Sequence, residues 1–111
     1  MNWIILLAAL SGAIAVGAGA FGAHGASGDA ADWLRTGAMY QLVHVVAALA
    51  VADRLSTRGP AWALLLGSAI FAGTLYAMAF GAPRWLGAIT PIGGSVLILG
   101  WLWLAWSAIR G

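Results

Sequence analysis

Four apolar runs of about 20 residues, none containing an acidic residue, make up almost the whole chain. They extend from about Trp3 to Ala23, Trp33 to Ala52, Ala61 to Phe80 and Leu86 to Ile109. At 1.5 Å per residue, a helix of that length crosses the roughly 30 Å hydrocarbon layer of a bilayer. Backbone N–H and C=O groups have no partners in lipid, so each run must be a helix. Charges fall in the connections or at span ends: Asp29 and Asp32, then Asp53, Arg54 and Arg58, then Arg84 and Arg110, with Arg35 near the start of the second run. Short connections predict antiparallel neighbours. The expected fold is all-α: a polytopic membrane protein forming one antiparallel four-helix domain over residues 1–111.

Composition removes several function classes. A soluble domain of this size would need far more than 7% charged residues to cover its surface. The formal charge of +2 rests on five arginines and three aspartates and forms no basic patch, which excludes nucleic acid as a partner. Without cysteine there is no disulfide, thiolate nucleophile or thiolate metal site. Only Met1 and Asn2 precede Trp3, so the first run lacks the basic start of a secretory signal and reads as a retained span. With the N-terminus inside, Arg54, Arg58 and Arg110 lie on the inner flanks against Arg35 and Arg84 outside. That bias favours both termini in the cytoplasm.

Because the helices alternate in direction, the ends of spans 1 and 3 and the starts of spans 2 and 4 share one membrane face. The unusual residues collect in that half. GAFGAHG closes span 1, and Gly37, Tyr40, Gln41 and His44 open span 2. Gly73, Thr74 and Tyr76 lie late in span 3, and Thr90, Pro91, Gly93 and Gly94 lie early in span 4. Gly37, Tyr40, Gln41 and His44 follow i, i+3, i+4, i+7 spacing and share a helix face. Ala69, Gly73, Tyr76 and Phe80 do the same in span 3. Ser11, Ala15, Gly19 and Ala23 form a stripe that permits close backbone approach. His24, Tyr40, Gln41, His44, Tyr76 and Thr90 are therefore the candidate polar cluster or ligand pocket. Gly19, Gly22, Gly25, Gly37, Gly73, Pro91, Gly93 and Gly94 are the candidate packing and backbone-shaping positions. Gly22 is expected to tolerate a large side chain less well than Ala8, which sits in the plainer half.

Pro91 removes one helical hydrogen bond and crowds the preceding turn, and the Gly93–Gly94 pair weakens the next. The fourth helix is predicted to be kinked or interrupted near Pro91, between Ile89 and Gly94, freeing carbonyls that need partners.

The combination of GAFGAHG at 19–25, YQLVH at 40–44, FAGTLY at 71–76, LGAITPIGG at 86–94 and GW at 100–101 resembles the YgdD-like family. These are small four-helix inner-membrane proteins, a domain-of-unknown-function family that also includes a small mitochondrial membrane protein of animals. The resemblance covers nearly the whole chain. It implies an inner-membrane location and four helices, and no chemistry. The family pattern usually places serines around the glycine of the third motif. Ala72 and Thr74 stand there in this chain, so a hydroxyl at 72 is not essential to it.

An ionisable residue inside a span is either functional or helix glue, and His44 allows both readings. It could carry a proton or hold a ligand, or be a neutral ring bonded to Tyr76, Thr90 or a freed carbonyl of another helix. His24 reads as an interfacial cap or the mouth of the cluster. The tyrosines also read as packing residues, and the tryptophans as interface anchors and lipid-facing bulk. Haem is disfavoured because His24 and His44 lie roughly 10 Å or more apart in depth. Two histidines without an intramembrane carboxylate also make too small a metal site, so no cofactor or metal is expected. No nucleophile, carboxylate pair or metal set points to an enzyme. The expected role is structural, in assembly or interaction, with the bilayer and a second copy or another membrane protein as partners. The alternative is a small binding protein, transporter or channel for a small or lipid-soluble ligand such as a quinone.

Overall fold

The computed structural model describes residues 1–110, with four long helices and no strand among them. All four are long and apolar enough to cross a membrane. α1 spans Trp3–His24, and the Asn2 side chain caps it by accepting from the Ile5 N–H at 3.1 Å. It ends where the N–H groups of Gly25 and Ala26 both reach back to the Phe21 carbonyl.

α2 spans Gly28–Val51 and begins ahead of its apolar run at Trp33. The apolar run marks where the bilayer starts rather than where the helix does. Asp29 in the first turn faces the positive end of the helix dipole and favours the earlier start. α3 spans Gly59–Ala79, with Pro60 in its first turn. Beyond it, Gly81 takes φ +105°, a conformation natural to glycine, and its N–H returns to the Met78 carbonyl.

The fourth span is interrupted as its sequence predicts, but on the N-terminal side of Pro91. A 3-10 turn over Arg84–Ala88 leads through Ile89 into α4, Thr90–Arg110. The junction uses i to i−3 bonds, Ile89 to Leu86 and Ile92 to Ile89, both 2.9 Å. Pro91 therefore occupies the first turn, where a missing N–H costs nothing, and it starts α4 instead of bending it. Gly93 and Gly94 lie within the continuous helix.

α2 and α3 form the central pair; α1 packs on α2, α4 packs on α3, and α1 and α4 do not meet. α2 turns Leu34 and Ala38 toward α1 and Gly37 and Gln41 toward α3. His44 points toward α4 from the side of α2 away from α1. Ile4, Ala8, Val45, Ala48, Ala52, Ala61, Leu64, Leu65 and Leu97 form the apolar core in the half that carries the chain termini. Ala8 is 1% exposed, so it belongs to this core and is as confined as Gly22. Most remaining large apolar side chains face outward, as a bilayer requires.

Candidate functional site

Three side-chain hydrogen bonds tie the helices together, two in the half that holds the α1–α2 and α3–α4 connections and one near mid-membrane. The first joins α3 to α2: the Tyr76 hydroxyl donates to Gln41 Oε1 at 2.8 Å. It depends on Gly37, because a Cβ there would lie 2.7 Å from the Tyr76 ring. The second joins α3 to α4, with the hydroxyls of Thr74 and Thr90 2.6 Å apart. Whichever donates, the other keeps its proton for a backbone carbonyl three or four residues before it. Phe71 O lies 3.1 Å from Thr74, and Leu86 O lies 3.4 Å from Thr90.

The third bond spans α2 and α4 near mid-membrane and involves buried His44. Trp101 donates its indole N–H to His44 Nε2 at 3.0 Å, and His44 Nδ1 lies 2.6 Å from the Tyr40 carbonyl. An indole can only donate and a carbonyl can only accept. These two partners therefore specify one form of the ring, neutral with its proton on Nδ1. An imidazolium would set N–H against N–H and expel Trp101. His44 thus bonds across to α4 as a neutral ring, and its partner is a tryptophan rather than Tyr76, Thr90 or a freed carbonyl.

Next to this bond the surface is hollow. A groove of about 380 Å³ between α2, α3 and α4 is lined by Tyr40, His44, Phe71, Gly94, Leu97, Ile98 and Trp101. Tyr40 packs against Phe71 with ring centroids 4.6 Å apart and planes tilted by 41°, and it lies nearly parallel to His44. It is 41% exposed, and its hydroxyl has no hydrogen-bond partner among the described residues. Tyr40 lies seven residues, about 10 Å, past Trp33, where the apolar run of α2 begins.

The structure thus brings Gln41, Tyr76, Thr90 and His44 into interhelical bonds and sets Tyr40 on the rim of the groove. His24 stands apart. It is exposed at the last turn of α1, where the chain leaves the helix, and it makes no hydrogen bond with the described residues. The glycines divide similarly. A Cβ on Gly19 would meet Ala38 at 3.3 Å, and one on Gly22 would meet Leu34 at 3.0 Å, so these two carry the α1–α2 contact. A Cβ on Gly25 would strike Phe21 of its own helix. Gly73 is exposed with open space around it, because its side of α3 faces outward, so it packs nothing.

Sequence reasoning held Trp101 only as part of the GW motif and, reading the tryptophans as interface anchors and lipid-facing bulk, missed its bond to His44. Its position well inside the fourth run, away from either end, was the available signal. It also missed Gly67, which with Gly93 brings α3 and α4 to backbone distance, and the packing role of Gly100, where a Cβ would meet the Ala63 and Leu64 side chains.

A profile of the protein family of unknown function DUF423 matches residues 18–94. The chain belongs to this family. The match takes in the close of α1, the central pair and the start of α4, which hold all three bonds except Trp101. Among DUF423-like relatives, a UPF0382 membrane protein of Haemophilus influenzae is 41% identical, covering 98% of this chain and 95% of the relative. A UPF0382 membrane protein of Staphylococcus epidermidis is 38% identical over 99% of this chain and 98% of its own. The UPF0382 inner membrane protein YgdD of Escherichia coli is 36% identical over 98% and 91%. No solved structure matches this DUF423 protein.

Proposed function

We propose that this DUF423 protein is a non-enzymatic component of the inner (cytoplasmic) membrane, with both termini in the cytoplasm and a structural, assembly or interaction role. The observation that carries this reading is the closure of the buried polar groups on one another. Gln41 with Tyr76, Thr74 with Thr90, and Trp101 with His44 are matched donor to acceptor. Such bonds hold transmembrane helices in register and leave no strong base, acid or nucleophile free. The outer faces of α1 and α4, which no helix of the chain covers, are then available to a second copy or another membrane protein. The YgdD relative is named an inner membrane protein, which supports the location. Charge supports the orientation. Arg54, Arg58 and Arg110 against Asp53 place the whole net charge of +2 at the face with the termini, while Arg35 and Arg84 balance Asp29 and Asp32 opposite.

One observation favours a second reading, a binding protein for a lipid-soluble ligand with a hydrogen-bond acceptor, such as a quinone. The unpaired Tyr40 hydroxyl borders a groove that opens toward the bilayer, and an unmatched donor is costly there. Native mass spectrometry of wild type and His44→Ala, extracted gently from their own membrane, separates the two. Bare chains or protein complexes in both, with a less stable variant, are expected from the structural role. A small ligand on wild type that is lost from the variant would overturn that role in favour of the second reading.

A further inference from the structure

We propose that the cytoplasmic-facing corner between the α2–α3 connection and the end of α4 is a binding site for the phosphate headgroup of an anionic phospholipid. A cavity of about 390 Å³ lies there, lined by Ser56, Thr57, Trp103, Trp106, Ser107 and Arg110. It is separate from the polar bonds described above, and none of its lining residues takes part in them.

The lining offers what a phosphodiester needs. Arg110 is a fixed cation with a planar set of donors suited to phosphate oxygens. Its guanidinium sits 5.9 Å from the Trp106 ring centre, which holds the charge at the rim. No carboxylate among the described residues pairs with it, whereas the one aspartate of that face, Asp53, is engaged by Arg58 at 3.3 Å. Two hydroxyl protons are also free. Ser56 has no partner among the described residues, and Thr57 Oγ1 accepts from the Gly59 N–H at 3.2 Å, keeping its own proton to donate. Ser107 is already committed to the Trp103 carbonyl.

One wall is built into the fold. Gly59 opens α3 directly against Trp103, and a Cβ on Gly59 would overlap the indole ring. Depth selects a lipid over a soluble ester. The cavity lies at the level where α4 ends, between two tryptophans at the usual interfacial position. That face also carries the entire net charge of +2, which draws it toward anionic headgroups.

The test uses the full chain in phosphatidylcholine bilayers doped with phosphatidylglycerol, with retained lipid read by native mass spectrometry. Wild type is expected to keep one phosphatidylglycerol in about fivefold preference to phosphatidylcholine, the scale of one arginine at an anionic surface. Arg110→Gln and Ser56→Ala should lose that preference while their tryptophan-fluorescence melting curves stay near wild type. Arg58→Gln, which removes a charge from the same face outside the cavity, should keep it. Equal loss in Arg58→Gln would reduce the effect to diffuse surface charge and overturn the site. Displacement of the lipid by millimolar inorganic phosphate would make a soluble phosphate ester the occupant and overturn the lipid assignment.

Discussion

Adjacent glycines at 93 and 94 give a sharp test of how α3 and α4 are held. A Cβ on Gly93 would lie 2.5 Å from the Phe71 nitrogen and 2.9 Å from the Gly67 carbonyl oxygen and the Phe71 Cα. All three are backbone atoms, so no side chain can swing aside. To restore contacts of about 3.5 Å the helices must part by roughly 1 Å, enough to forfeit a large share of the attraction between facing atoms. The Thr74–Thr90 bond, now 2.6 Å, would stretch with them. Overpacking of this kind costs about 1–3 kcal/mol, and a lost interhelical bond in a membrane adds about 0.6 kcal/mol. Against this stands the helix preference of alanine over glycine, about 1 kcal/mol at most. Gly93→Ala should therefore lose about 1–3 kcal/mol net. A Cβ on Gly94 would meet the Phe71 ring at 3.8 Å, an ordinary contact, so Gly94→Ala receives the helix preference with no clash. Gly94→Ala should be neutral or stabilised by up to about 1 kcal/mol. Reversible unfolding of both variants in mixed micelles, followed by tryptophan fluorescence, measures the difference. Equal stabilities would refute backbone contact as the basis of the α3–α4 interface.

Three further outcomes follow from the same geometry. Trp101→Phe keeps an aromatic ring but removes the indole donor to His44 Nε2, and should cost about 1 kcal/mol. His44→Ala with Trp101→Phe should then cost less than the sum of the single variants, and strict additivity would show that the pair is not coupled. Gly37→Ala pushes the Tyr76 ring aside and breaks its bond to Gln41, so Tyr76→Phe should lose much of its own effect in that background, again read by unfolding in micelles. Ala8→Leu and Gly22→Leu should both destabilise by several kcal/mol, since Ala8 is sealed in the core and Gly22 lies against α2. A tolerated Ala8→Leu would show that the core near the termini is loose.

The number of helices and their antiparallel order are legible in the sequence, and their spans to within a few residues. Bilayer thickness and the cost of burying charge in lipid act on each span separately, so a run such as Trp3–Ala23 can be read without its neighbours. Helical periodicity likewise grouped Gly37, Gln41 and His44 on related faces before any contact was known. Partners were another matter. Trp101 looks like any lipid-facing tryptophan until α4 is docked. Gly93 and Gly73 are indistinguishable in sequence, although one touches backbone and the other open space. Pro91 reads as a kink or interruption until the helix boundary shows that it opens α4. A soluble helix shows which face it buries by being apolar on one side only. A membrane helix meets apolar surroundings on every side, lipid and neighbour alike. Composition therefore decided that these segments cross the bilayer, while only the docking of α1 on α2, α2 on α3 and α3 on α4 decided which residues meet.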